Sequence, residues 1–418
     1  MSAPVQPPPP VDAPPPSLLS KTFQAFTYRN FRLMWTGAFT STTGSFVQEV
    51  AQSWLVYQLT NDPFLLGAVS FLNNAPILLF SLIGGVAADR MDRRMLLIGS
   101  QLTQMSAALA LATLIWTDQI QIWHILAAAF VTGMGQAFGG PAYQALIPSL
   151  VDKKDLPNAI ALMSIQFNMG QVVGPAIGGA AFAGLGAGWC FCINGLSFLA
   201  VIGTLLILPS TFVPAKHQTH VLESLKEGLR FVFHNKAMFS LVALAVSTAF
   251  LGVPVRILLP AFAEDIYHVG PEGYSQLLSS FGLGGVLGAL AVATYGNKPR
   301  KGLRALMMQL ALGAITLGFG LMTKFWGGAL LLFATGASVL FVFSSITSLV
   351  QLLAPENMRG RIMSVYNTAF RGSMALGPPV AGYLARSLGA PAIVAVNGAL
   401  LVLVALVFLT KNKEVRAL

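Results

Sequence analysis

Glu49, Arg256 and Arg371 stand inside long apolar stretches of this 418-residue chain. A charge facing lipid at mid-bilayer costs at least ~2.5 to 3.5 kcal/mol, so each must face a cavity or a partner. Thr42, Ser45, Glu49 and Gln52 step by three and four, which puts the carboxylate on a polar stripe of an otherwise apolar helix. Arg371 shares a stripe with Ser364 and Asn367. Two readings of Glu49 stay open. It is half of a static ion pair with Arg371 or Arg256 that locks helices together. Or it exchanges a proton beside cationic groups that repel that proton or hold an anionic substrate. For Arg256, snorkelling to a span end is a third reading. Asn73, Asn74 and Gln136 either line the same cavity or only bond neighbouring helices.

The elements that hold these residues follow from composition. Hydrophobic residues make up 55% of the chain and charged residues 10%, where a soluble domain carries roughly 25% charged, and the mean hydropathy is +0.69. So few charges cannot cover a water-facing surface. Apolar windows near the ~20 residues that cross a ~30 Å hydrocarbon core fall at 34–58, 64–87, 95–116, 122–146, 158–183 and 188–209. A second set falls at 237–262, 274–295, 303–323, 326–353, 362–385 and 391–410. The expectation is an all-α membrane protein of twelve transmembrane helices. It divides into a disordered proline-rich tail (1–28), a six-helix half (29–209), a linker (210–236), a second six-helix half (237–410) and a short tail (411–418). In the linker, Leu222, Leu225, Leu229 and Val232 share one face, which predicts an amphipathic helix on the membrane surface.

The formal net charge of +10 is a topology signal. Lys and Arg gather before the first span, in alternate loops, in the linker and at the C-terminus, whereas the opposite loops hold Lys324, Arg386 and mostly acids such as Asp62, Glu264 and Asp265. The positive-inside rule makes both termini and the linker cytoplasmic, so the basic balance needs no nucleic-acid partner. Cys190 and Cys192, two apart in an apolar helix, cannot bridge. No metal set, cofactor loop or Ser/His/Asp constellation converges, so an enzyme is not expected. The segment MSAPVQPPPPVDAPPPSLLS lacks the features of a signal peptide and reads as a solvated leader, with a docking role as the alternative.

The halves align with each other: GPAIGG at 174–179 pairs with GPPVAG at 377–382, an offset of 203. Asn194 and Gly195 then fall on Asn397 and Gly398, Leu185-Gly186 on Leu388-Gly389, and Asn168 on Arg371. A parallel repeat of six helices, with the binding site between halves near the midplane, is the architecture this implies. The two pseudo-symmetric halves would thus present an amide and a cation at equivalent positions.

GGVAADRMDRRMLL at 84–97 carries Gly85, Asp89, Arg90, Arg93 and Arg94, and its spacing resembles the loop signature of the major facilitator superfamily. That resemblance implies a conformational latch, with Asp89 capping a helix across the interface, the arginines holding a charge network, and Gly85 letting a helix approach. The second-half counterpart, YGNKPRK at 295–301, has no Asp. Gly174, Pro175, Gly178 and Gly179 of GPAIGG resemble a helix-interface signature of the antiporter branch, Gly377 and Pro378 are their repeat counterparts, and packing alone would also explain them. NFRLMWTGAFTSTTGSFVQEVAQSWLVYQLT, LLPAFAEDIYHVGPEGYSQLLSSFGLGGVLGAL and PENMRGRIMSVYN resemble the branch holding enterobactin exporters and macrolide efflux proteins. The chain departs from that pattern at Tyr143, where an arginine often stands, and at Glu49, where a neutral residue is common. With no G-x-x-x-x-G-K-S/T loop for ATP in the sequence, the expectation is proton-driven export of a small amphipathic organic molecule by alternating access, with Glu49 as proton carrier, by a monomer in the bacterial inner membrane. The partners would be substrate, protons and lipids. Uptake, lipid flipping and a non-transporting scaffold stay open as alternatives.

Overall fold

The computed structural model describes residues 22–209, 221–295 and 300–417. The proline-rich segment, linker residues 210–220 and most of YGNKPRK, including Lys298, lie outside the described residues. The helices are α1 (Arg29–Thr60), α2 (Pro63–Arg90), α3 (Arg93–Trp116), α4 (Ile122–Leu146), α5 (Leu156–Leu185), α6 (Ala187–Ile207) and α7 (Val221–His234). After α7 come α8 (Lys236–Ile266), α9 (Gly270–Tyr295), α10 (Lys301–Gly320), α11 (Phe325–Leu353), α12 (Arg359–Leu388) and α13 (Ala390–Lys411).

Ten of these helices are long and apolar enough to cross a membrane. Neither α1 nor α12 is among them. These two are 32 and 30 residues long, and they carry the polar stripes of Glu49 and Arg371. Length therefore suffices in both, and polarity lowers their hydropathy. Large apolar side chains such as Leu206, Leu330 and Leu403 stay exposed on the outside of the bundle, which fits lipid as the solvent. The chain is a multi-pass helical membrane protein.

Local chemistry sets the helix ends. Asp62 caps α2 by accepting from the Phe64 N–H at 3.0 Å, ahead of Pro63 in the first turn. Asp92 caps α3 through the Arg94 N–H at 2.9 Å. The tight turns α5–α6 and α12–α13 place Gly186 at φ 87° and Gly389 at φ 81°, a conformation open to glycine. These two glycines are one offset apart, so the repeat extends to backbone conformation.

Packing follows the repeat. Helix α1 packs on α5 and α6, and α8 packs on α12 and α13, while α2–α12 and α5–α9 are the principal contacts between halves. Call the end holding residue 22, α7 and residue 417 the terminal end. At the far end one apolar cluster joins both halves, with Trp54, Leu66, Leu258, Tyr274, Leu277 and Ala381 inside it. At the terminal end two separate clusters form, one around Phe31, Leu97 and Leu162, the other around Met238, Ile346 and Ile362. The halves are thus closed on each other at the far end.

Helix α7 exists where amphipathicity predicts it, and Val232 is buried, but Leu229 is 37% exposed. The side chains of Leu222 and Leu225 lie outside the described set. Gly228 seats α7 against the Arg361 carbonyl, and Glu227 pairs with Arg361 at the start of α12.

Candidate functional site

Helix α1 turns its apolar side, including Val47, Val50 and Ala51, into the core. Its polar stripe faces a central cavity. Helix α8 is irregular: π turns at Thr248–Gly252 and Phe262–Ile266 flank short helical pieces that begin at or next to Pro254 and Pro260. Missing N–H groups and π turns reset which side chains face inward. Between them Arg256 reaches across, with Nη2 2.8 Å from each carboxylate oxygen of Glu49. Its guanidinium also lies 5.5 Å from the centroid of the Phe46 ring. Gly174 makes room for Phe46, because a Cβ there would collide with the Phe46 Cβ. The two charged side chains are 23% and 34% exposed. Arg256 therefore does not snorkel: it is a paired, half-buried cation.

A cavity of ≈ 320 Å³ surrounds the pair and includes Gln52, Asn73, Asn74 and Gln136 in its wall. Three further amides line it that sequence reasoning did not single out as site residues: Gln48, Gln104 and Asn194. They are linked, with Asn194 Nδ2 donating to Gln48 Oε1 at 2.7 Å and Gln48 Nε2 to Gln52 Oε1 at 3.2 Å. Gln136 Nε2 donates to Gln104 Oε1 at 3.0 Å, and Gln104 in turn donates to Ser100. The available signal was the polarity of these residues within apolar spans. Asn194 was visible as a repeat position only.

Asn168 and Arg371 do not line this cavity and make no contact with Glu49. Each sits eleven residues, about three turns, before a glycine that meets the other half, Gly179 or Gly382, and so on that same face. Arg371 is exposed and Asn168 half-buried, because the halves have parted by that level. The glycine motifs are contact points. Gly178 faces Val47 of α1, Gly179 faces Ser275 of α9, Gly377 faces the Phe250 carbonyl, and the Pro378 carbonyl faces Gly67 of α2. A Cβ on Gly382 would come 2.5 Å from the Pro63 carbonyl oxygen.

Further ties join the halves toward the far end. Tyr57 donates its hydroxyl to Asp265, and Arg386 grips Asp62 with Nε 2.7 Å from Oδ1 while stacking on Phe64 at 4.6 Å. Arg386 holds the Asp62 carboxyl below the usual carboxylate range. At the terminal end no hydrogen bond or ion pair among the described residues crosses between α1–α6 and α8–α13. There Arg93 donates to the Ala88 and Ala145 carbonyls and Arg94 to that of Leu205, all in the first half. Asp89 and Arg90 are exposed. A Cβ on Gly85 would meet nothing within 4 Å, whereas one on Gly84 would strike the Ala137 carbonyl. In this conformation the close helix approach is at Gly84, not at Gly85.

A family profile for transmembrane secretion effectors matches residues 20–417. Among characterised proteins, the chain is 23% identical over 389 residues to macrolide efflux protein A of Streptococcus pyogenes, covering 91% of this chain and 96% of that one. It is 28% identical over 372 residues to the multidrug efflux pump Tap of Mycolicibacterium fortuitum, covering 84% and 88%. Against the enterobactin exporter EntS of Citrobacter koseri it is 26% identical over 394 residues, covering 93% of each. The fold matches a POT family transporter solved with a thioalcohol-conjugated peptide, at TM-score 0.75 and 12% identity over 93% of this chain and 96% of that one. The chain belongs to the transmembrane secretion effector family and is a transporter of the major facilitator type, not an enzyme.

Proposed function

We propose that this transporter exports small amphipathic organic molecules against a proton gradient by alternating access, from the cytoplasmic face of a bacterial inner membrane. The observation that carries the reading is the Glu49–Arg256 pair, because it ties α1 of one half to α8 of the other inside an amide-lined cavity. A carboxylate that leaves its guanidinium on protonation converts a proton-binding event into loss of an inter-half tie. The static-pair and proton-carrier readings of Glu49 thereby become two phases of one cycle.

The positive-inside rule makes the terminal end cytoplasmic, so the described conformation is the one open to the cytoplasm. Twelve spans, both termini inside, a monomer in contact with lipids, and the division at 209 and 237 belong to the same proposal. In the outward-facing phase Asp89 would meet the start of α12, with Arg90, Arg93 and Arg94 completing the latch. Arg371 and Asn168 would line the vestibule that this motion closes. Export as the direction is supported by three relatives described as efflux or export proteins.

The test is an efflux and uptake screen in inverted vesicles with an imposed pH gradient. Accumulation that collapses with the gradient and fails in Glu49→Gln supports the proposal. Gradient-independent movement of every accumulated compound overturns proton coupling.

A further inference from the structure

The amide-lined cavity continues past Gln136. A second cavity of ≈ 270 Å³ runs on toward the terminal end within the first half, and Ser45, Gln136 and Phe198 line both. The two compartments differ in chemistry. The first holds the ion pair and amide groups with no protein partner, among them Gln52 Nε2 and the Asn73 side chain. No charged side chain lines the second, where Leu97, Tyr143, Met163, Phe167 and Phe198 supply aromatic, aliphatic and thioether surface. Several of its polar groups are already engaged, Gln101, whose Oε1 is buried without a partner, being an exception. Tyr143 donates to Met163 Sδ at 3.0 Å, Gln166 to the Ala38 carbonyl at 3.1 Å and Ser100 to the Gly135 carbonyl at 2.7 Å.

We infer that the two cavities are one head-and-tail site: an uncharged head rich in hydroxyl or amide groups binds beside Glu49–Arg256, and an apolar tail of bounded length lies along Tyr143, Met163 and Phe198. The inference rests on the transport reading of the cavity above and specifies its substrate class. The head is uncharged because the charges of the site are already matched. A cationic head would have to take Glu49 from Arg256, whose Nε is buried without a partner, and an anionic head would have to take Arg256 from Glu49. Either leaves one half-buried charge unmatched. An uncharged head uses the spare donors and acceptors of Gln52, Asn73 and Gln136 and leaves the pair intact. The tail is bounded because the second compartment is walled by packed side chains such as Leu97, Tyr143 and Met163 only as far as its opening at the terminal end, beyond which further methylenes meet water.

Gly140 makes the test specific. It lines the second cavity, and a Cβ there would meet nothing within 4 Å, whereas one on its neighbour Gly139 would strike the Ser100 hydroxyl. Gly140→Leu therefore places an apolar side chain in the tail compartment through a Cβ that displaces no helix. The probes are n-alkyl β-glucosides from butyl to octyl, at concentrations far below micelle formation. Their binding is measured by displacement of a radiolabelled hexyl glucoside from the full-length protein in lipid nanodiscs, with empty nanodiscs subtracted and melting curves confirming folded variants.

For the wild type, affinity should rise roughly threefold to fourfold per methylene and level off once the compartment is full. Gly140→Leu should flatten that rise. Asn73→Leu should weaken all members alike and keep the slope. An unchanged slope in Gly140→Leu overturns the tail assignment, and tighter binding of alkyltrimethylammonium ions of equal length overturns the uncharged head. The outcomes separate from those of the vesicle screen. Chain-length-dependent binding without gradient-driven movement leaves the site standing and removes the transport reading. Driven transport of compounds indifferent to Gly140→Leu does the reverse.

Discussion

Glu49 and Arg256 are 207 residues apart in the chain and 2.8 Å apart in the structure, one in each half of the bundle. Their bond is the innermost of a series of side-chain-to-side-chain ties that includes Tyr57–Asp265 and ends at Asp62–Arg386. All of these lie between the midplane and the far end. In the proposed cycle, proton binding at the inner member would weaken the same closure that the outer members hold.

Glu49→Gln should abolish gradient-driven accumulation while permitting downhill exchange, since the amide imitates the protonated acid. Removing one partner of a fully buried pair costs ~3 to 5 kcal/mol. Here the partners are 23% and 34% exposed, so hydration absorbs part of that cost and the variant should insert and fold. Transport normalised to folded protein is the measurement. Wild-type accumulation would remove the carrier role. Misfolding rescued by adding Arg256→Gln would make the pair purely structural.

Glu49 was legible because a carboxylate inside an apolar run must be accounted for. Its partner was not. Arg256 and Arg371 were equivalent on hydropathy, and the choice between them depends on the π turns of α8, which no periodicity displays; Pro254 and Pro260 were the only hint of irregularity. Arg371 drew attention through its repeat position opposite Asn168. The repeat places both on inter-half faces but not at the depth where the halves touch. The glycine pairs were readable, because a shared offset implies a shared neighbour. The outer clasp was hidden: Asp62 and Arg386 each looked like an isolated loop charge.

Asp62 sits in the turn between α1 and α2, and Arg386 depresses its titration. A carboxyl with a lowered pKa contributes its tie above its ordinary pKa and loses it as pH falls through the lowered value. Acidification of the far side below the usual carboxylate range should therefore loosen the far end, as should high salt, because Arg386 is 45% exposed. A cysteine probe at the far end, in a background lacking Cys190 and Cys192, should label faster in acid. Asp62→Asn should label fast at every pH. Equal labelling of both proteins throughout would exclude the clasp.

Asp89→Asn should leave yield and the described conformation unchanged, because Asp89 makes no hydrogen bond or ion pair there among the described residues. Its effect belongs to the opposite state, where the carboxylate would meet the start of α12. Since the loop is exposed and its charges screened, the population of that state should fall by roughly twofold to fivefold. Transport should slow in proportion. Probe accessibility at both ends reads this directly, and full transport with unshifted accessibility would exclude the latch.

Gly179 and Gly382 occupy one repeat position, and each admits the other half, but what they face differs. Gly179 faces the Ser275 side chain, whose hydroxyl can rotate at the loss of its 2.8 Å bond to the Glu272 carbonyl, but whose Cβ, 2.5 Å from a Cβ placed on Gly179, moves only with α9. Gly382 faces the Pro63 carbonyl oxygen and the Phe64 Cα, backbone atoms fixed by the Asp62 cap. Overpacking a well-packed contact costs ~1 to 3 kcal/mol, and the upper part of that range applies where no side chain can move aside. Gly382→Ala and Gly179→Ala should therefore both hinder far-end closure and bias the protein toward the opposite state, whereas adding Ser275→Gly, which removes the facing Cβ, should restore closure to Gly179→Ala. Far-end probe labelling and transport rate, measured together on the three variants, should place the double variant nearest the wild type. Wild-type closure in Gly382→Ala, or no rescue of Gly179→Ala by Ser275→Gly, would show that far-end closure does not depend on these contacts.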